Sequence, residues 1–334
     1  MNTNQAVAPA PANHGRVETR ARHLALLRDY GIVAIIVALA LVLSLSTSTF
    51  LTRGNLTNLL DQIVVVGILA CGATLCIICG VFDLSASAIL ALSAVAGVLV
   101  TQTMGVGPGF FAAVIAGSLL GLFNGLLVTG IGVHSFIATL ASSMVFRGGA
   151  ILATGGAIVY PETSQMAQFR LLNAKVEPLG LTMSTWLFIG VVAATWFLLA
   201  FTSYGRSLYA VGGNAEAARL SGISVSRVKI TALVISGVCA SLAGLVLASR
   251  AGSAQASMGT GLELTAIAAT VVGGTSIMGG EGAIWRAFAG VLILQLFGNG
   301  FNLLGWDTTY QQVLTGVLIL VAVTVDTILK RGRR

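Results

Sequence analysis

Residues 59–104 read LLDQIVVVGILACGATLCIICGVFDLSASAILALSAVAGVLVTQTM. Two apolar runs, each near the roughly 20 residues that carry a helix across about 30 Å of hydrocarbon, flank a short break at Gly80, Val81, Phe82, Asp83 and Leu84. The same pattern recurs along the chain. Of 334 residues, 56% are hydrophobic and 9% charged, and the mean hydropathy is +0.94, so there is too little polar surface to cover a water-soluble globule. The sequence therefore reads as an all-α, polytopic integral membrane protein, with room for about ten transmembrane helices, broken helices among them, and short loops.

Working outward from that pair, hydropathy with breaks at polar, Gly and Pro clusters places spans near 30–50, 59–80 and 85–104. A fourth follows the turn at Gly105, Gly107, Pro108 and Gly109 and runs to Thr129, and a fifth covers 136–154. Residues 155–181 are polar and hold two prolines, so they lie outside the hydrocarbon; a sixth span covers 183–202. A second polar excursion, 203–229, precedes spans near 230–248, 262–277, 284–304 and 310–329. Residues 29–329 thus form one membrane domain, flanked by a tail at 1–28 and a basic tail at 330–334. The first tail has no apolar stretch and does not read as a signal peptide.

Twelve of the 18 Lys and Arg residues lie in three places: Arg16, Arg20, Arg22 and Arg28; Arg206, Arg219, Arg227 and Lys229; and Lys330, Arg331, Arg333 and Arg334. Short basic loops stay on the cytoplasmic side, which puts both termini and 203–229 inside and 155–181 outside, and requires an even number of spans. The net charge of +7 is thus a topology signal rather than a nucleic-acid surface, because no basic patch is interleaved with aromatics. Gly117, Gly121 and Gly125 recur every fourth residue on the fourth span, which suits close helix packing or a passage lining.

Several chemistries are excluded. Lys175, Lys229 and Lys330 follow Ala174, Val228 and Leu329, so no phosphate loop ends in Gly-Lys, and ATP driving this protein would be hydrolysed by another chain. Cys71, Cys76, Cys79 and Cys239 lack the company of metal ligands and read as buried small hydrophobes. No catalytic residue, no metal site and no cofactor of this chain's own are expected, and the protein is not expected to be an enzyme.

Among the acids in apolar surroundings, Asp61, Asp83, Glu263, Glu281 and Asp326, most fall near span ends. Asp83 sits in the break and reads two ways: as a cap for backbone N–H groups of the next helix, or as a passage or gate residue. His134 is the only histidine outside the tail, too few groups for a proton relay. The stretch 273–282 holds five glycines with Thr275 and Ser276, and reads as a helix break with close backbone packing or as direct solute contact. In 203–229, Asn214 caps a short helix with Glu216 in its first turn, and Gly222 stops it. That helix presents Ala217, Ala218 and Leu220 beside Arg219, either to a partner groove or to the protein's own spans.

These segments together resemble the membrane permeases of ribose-type carbohydrate ABC importers of bacteria. The likeness spans about 55–326 and rests on Asp83, Leu84 and Ser85; on Phe136, Ile137, Ala138, Thr139 and Leu140; on YAVGGNAEAARLSG at 209–222; and on ELTAIAATVVGGTSIMGGEG at 263–282. The resemblance implies a sugar permease of the bacterial inner membrane, working by alternating access. Its implied partners are a second permease subunit, identical or not, one or two ATPase subunits that use ATP and Mg, an external sugar-binding protein, and membrane lipid, with no nucleic acid. It also implies that Asn214, Glu216, Ala217, Ala218, Arg219, Leu220 and Gly222 dock into the ATPase. Asp83, Ser85, Phe136, Thr139, Glu263, Thr275 and Ser276 are then the candidates for the translocation pathway or gate. A stand-alone carrier, ion-coupled or facilitative, is the alternative, and a purely structural scaffold a weaker third.

Overall fold

The computed structural model describes residues 31–177 and 180–307, together with 310, 313, 316, 317, 320 and 324. The tails at 1–28 and 330–334, Asp326 and most of the span expected at 310–329 lie outside the described residues. Among the described residues seven helices are long and apolar enough to cross a membrane.

The elements follow the apolar runs. After α1 (Gly31–Ser46) come α2 (Arg53–Ile78), α3 (Ala86–Met104) and α4 (Val106–Leu126), which continues through a π-helical turn at Leu127–Ile131. Next is α5 (Ser135–Thr154). The polar excursion contains α6 (Met166–Phe169) and an antiparallel hairpin, β1 (Lys175–Val176) with β2 (Leu181–Thr182), pairing Lys175 with Thr182. Then follow α7 (Met183–Phe201), α8 (Ser203–Gly213), α9 (Ala215–Leu220), α10 (Val225–Ala251), α11 (Leu262–Val272) and α12 (Ile284–Leu303). Threonines start two of the long helices: Thr52 accepts from the Asn55 amide and Thr182 from the Thr185 amide.

Burial orders the bundle. The apolar window of α2 is 89% buried, whereas those of α4, α5 and α7 are 28% buried, so α2 is the central post and the others form its outer wall. Packed around α2 are α7, α10, α11 and α12, while α10 also packs on α3 and α4. The glycines of α4 explain the last contact: a Cβ on Gly117 would overlap the Gly237 carbonyl of α10, and one on Gly121 the Leu233 carbonyl. The Gly117, Gly121, Gly125 stripe therefore serves backbone approach between α4 and α10. At the far end of α2, Asn55 and Asn299 exchange amide hydrogen bonds of 3.1 and 2.8 Å, tying α2 to α12.

Two expectations need correction. The span expected at 262–277 is only 11 residues of helix, about 16 Å at 1.5 Å per residue, which is half the hydrocarbon. Val271, Val272 and Ile277 keep the hydropathy window apolar on average, but Gly273, Gly274 and the turns after them end the helix. The excursion 203–229 is no loop with one helix: α8 fills its first part, and its last five residues are the first turns of α10.

Chain reversals collect at two ends. At the α9 end lie 79–85, 127–134, 202–224 and 273–283, joined by Gly280 N–H to Ile78 O (2.9 Å) and Phe82 N–H to Ser135 Oγ (3.1 Å). At the hairpin end lie 155–177, 180–182 and 252–261, joined by the Val159–Ala254 bridge, and Gln102 Nε2 donates to Tyr160 O (2.7 Å).

Candidate functional site

Three of the expected pathway residues come together in the α2–α3 break. Asp83 Oδ1 accepts from the Ser85 amide (3.0 Å) and hydroxyl (2.6 Å), and Oδ2 accepts from Ser236 Oγ of α10 (2.6 Å). Ser85 Oγ accepts in turn from Asn124 Nδ2 of α4 (2.7 Å). Thr139 Oγ1 of α5 accepts from the Leu84 amide (3.0 Å), as Ser135 Oγ does from the Phe82 amide. Two hydroxyls of α5 thus supply backbone bonds that the break forgoes, as buried backbone requires, while α4 and α10 bond the side chains of Ser85 and Asp83. Asp83 is 4% exposed, and burial pushes its carboxyl above the ordinary range while the Ser236 and Ser85 hydrogen bonds pull it down. Both of its oxygens are occupied by the chain, the geometry of a bracket.

Asn124, Ser135 and Ser236 complete this knot without any motif to announce them. The signal available was that each is a polar residue in an apolar run and needs a partner. For Ser135 and Thr139, the i, i+4 spacing adds that both face one side of α5.

Phe136, by contrast, is 47% exposed and turns away from the knot. Thr275 and Ser276 are buried in the α11–α12 break, where Thr275 N–H donates to Thr270 O and Ser276 Oγ accepts from the Met278 amide. Glu263 stands in the first turn of α11, half-buried, with Oε2 enclosed and unbonded within the chain. Arg147 of α5 escaped the sequence reading. It donates from Nη1 to Ala256 O (2.6 Å) and Met258 O (3.2 Å) and from Nη2 to Ser87 Oγ (3.0 Å). Its signal was a lone base inside an apolar span.

The expected surface helix is α9. Asn214 is its N-cap and accepts from the Ala217 amide (3.0 Å), and Gly222 leaves it at φ +84°. Glu216 and Arg219 pair at 2.6 Å on its exposed side, and Leu220 is 81% exposed. Ala218 corrects the expectation: two residues on from Glu216, about 200° around the helix, it points inward and is buried.

Directly before α9, α8 is wedged into the glycine-rich turn. A Cβ on Gly212 would overlap Ile78 O and approach Gly280 N to 2.6 Å, so backbone meets backbone there. Tyr209 Oη donates to Gly282 O (2.7 Å), and burial raises this phenol's pKa. The glycines of 279–282 thus join the end of α2, the break before α12 and α8 at one point. Among the described residues no three His, Cys, Asp or Glu side chains gather as a metal site, and all four cysteines are buried and free.

The family model described as branched-chain amino acid transport system / permease component matches residues 55–323. The ribose import permease protein of Escherichia coli K12 is 40% identical over 302 residues, covering 90% of this chain and 94% of that protein. That of Bacillus subtilis strain 168 is 41% identical over 295 residues, covering 86% and 89%. The D-allose transport system permease protein of E. coli K12 is 39% identical over 306 residues, covering 90% and 91%.

Proposed function

The chain belongs to the branched-chain amino acid transport system / permease component family, and on that premise we propose that it is the membrane-spanning permease subunit of a bacterial ABC importer for a monosaccharide. The cargo class follows the relatives, whose names give ribose and allose, rather than the broader family description. The protein is a multi-pass component of the inner membrane. ATP and Mg belong to a separate ATPase subunit. A sugar-binding protein docks at the hairpin end, where 155–181 lie, and a second permease subunit completes the pore. Both termini and α9 face the cytoplasm, in a ten-span arrangement.

The observation that carries this reading is the tie between α8 and the two helix breaks. ATP-driven closure of the partner moves α9, and α8 passes the motion through Gly212 and Tyr209 to the ends of α2 and α12. Each partner acts by favouring one of two conformations. A stand-alone carrier fits less well, because Asp83, which an ion-coupled cycle would use, is fully engaged by Ser85 and Ser236.

The test is reconstitution with the ATPase and the binding protein. Replacing Glu216 by Lys together with Ala217 by Trp should abolish ATP-coupled uptake while insertion stays normal. Full uptake in that variant would overturn α9 docking, and uphill accumulation by the purified chain alone would overturn the class.

A further inference from the structure

We propose that residues 255–261, between α10 and α11, line a water-filled vestibule that opens at the hairpin end and reaches the middle of the membrane. This rests on the permease reading above and assigns part of the outer half of its passage.

The segment runs deep. It leaves the hairpin end at Ala254, which is bridged to Val159. Arg147 donates to Ala256 O (2.6 Å) and Met258 O (3.2 Å) from a position seven residues, about 10 Å, inside the end of α5 at Thr154. Gly259 lies lower still: a Cβ on it would stand 2.9 Å from Leu90 Cδ2, and Leu90 is 14 residues, about 21 Å, from the end of α3 at Met104. The opposite end gives the same level, because α11 spans only about 16 Å between Leu262 and the turn at Gly273. Residues 255–261 therefore descend to mid-membrane as irregular chain.

Irregular backbone at that depth persists only where protein encloses it or water reaches it. The break at 79–85 takes the first course, with Val81, Asp83 and Ser85 buried. This segment does not: Ser257 and Thr260 are exposed, and Gln255, Gly259 and Gly261 are partly so. Arg147 holds two of its carbonyls, but the amides of Gln255, Ser257, Gly259 and Gly261 have no acceptor among the described residues. Lipid tails offer none, and neither do the outer faces of α4, α5 and α7 in a second copy, whose large exposed side chains are apolar. Water supplies one for each. The wall so formed carries hydroxyls, a carboxamide and backbone N–H groups without a charge, which suits a neutral polar solute over an ion.

Thiol labelling tests the vestibule. The four natural cysteines are buried and free, so a membrane-impermeant maleimide added at the hairpin side of the assembled transporter in membranes reads introduced ones. Ser257→Cys gives up no side-chain hydrogen bond among the described residues, and Thr260→Cys only the local one to Ser257 O. Both should label about tenfold faster or more than Leu119→Cys, which is 58% exposed on the apolar face of α4, since a thiol ionises far more readily in water than in hydrocarbon. Labelling no faster than that of Leu119→Cys, the result that lipid or a covering second copy would give, overturns the proposal. No solute takes part, so this result stands whichever cargo the protein carries.

Uptake then tests the route. With D-ribose and D-allose as probes, treating Ser257→Cys with a bulky maleimide should cut uptake severalfold, while the same treatment leaves the wild type unchanged. Rapid labelling with undiminished uptake overturns the placing of the vestibule on the passage. Failure of the untreated wild type to move either sugar would overturn the cargo reading and leave labelling to decide the vestibule.

Discussion

The two helix breaks at the α9 end face the same problem and solve it differently. Between α2 and α3 the freed backbone is held by side chains: Ser135 and Thr139 take the Phe82 and Leu84 amides, and Asp83 draws in Ser85 and Ser236. Between α11 and α12 backbone bonds to backbone, with Gly274 N–H to Val271 O, Gly279 N–H to Ser276 O and Gly280 N–H to Ile78 O. The first break is therefore bracketed to α5 and α10, two long helices. The second is pressed against α8, the element next to the proposed ATPase contact, which also meets Ile78 at the end of α2. Polar side chains make a fixed joint, and glycines make one that a neighbouring helix can push.

The hardest way to break this comparison is to put a side chain where α8 meets the turn. Gly212→Val would drive its Cβ into Ile78 O and towards Gly280 N, both backbone atoms that cannot swing aside. Overpacking without relief costs about 3 kcal/mol or more, and the expected outcome is little folded protein after membrane extraction, read by thermal denaturation in detergent. A wild-type melting point would mean that α8 is not seated on the glycines.

Asp83 tests the bracket, with a smaller effect. Asp83→Leu leaves the Ser236 hydroxyl and the Ser85 amide and hydroxyl without their acceptor in a site 4% exposed. Each group so orphaned costs about 1–3 kcal/mol. Asp83→Asn keeps one carbonyl acceptor, so it should retain more transport and a higher melting point than Leu. Equal behaviour of wild type, Asn and Leu would show that the break holds without its carboxylate.

How much of this was legible in the sequence depends on range. The long spans α3, α5, α7 and α12 end within a residue or two of their hydropathy boundaries, since composition alone sets membrane length. The capped helix α9 was readable because its signals, Asn214 and Gly222, are local. Its orientation was not, and Ala218 turned inward because the docking of α9 on its neighbours is tertiary. The same limit hid the far partners in the break: Ser236 of α10 for Asp83, 153 residues away, Asn124 of α4 for Ser85, and Thr139 of α5 for the Leu84 amide. Hydropathy also ran through Gly273 and Gly274, because an average over a window does not register where a helix stops. A count of bases by loop does not register Arg147, whose place is inside the α5 span.

The smallest change sharpens the comparison most, because it separates holding from transmitting. Tyr209→Phe removes one hydrogen bond, Tyr209 Oη to Gly282 O at 2.7 Å, and leaves the ring in place beside the turn. A bond of this kind contributes about 1 kcal/mol, so the melting point should drop by only a few degrees and assembly should persist. If the glycine turn merely fills space, uptake per ATP hydrolysed should be unaffected. If α8 drives the turn, the ratio of sugar moved to ATP hydrolysed should fall severalfold while ATP hydrolysis continues. Conservative loss of the matching contact in the other break, Ser135→Ala, removes the acceptor of the Phe82 amide and should lower stability more than coupling. A fall in the transport ratio for Tyr209→Phe but not for Ser135→Ala is the signature that the glycine joint moves and the bracket stays still.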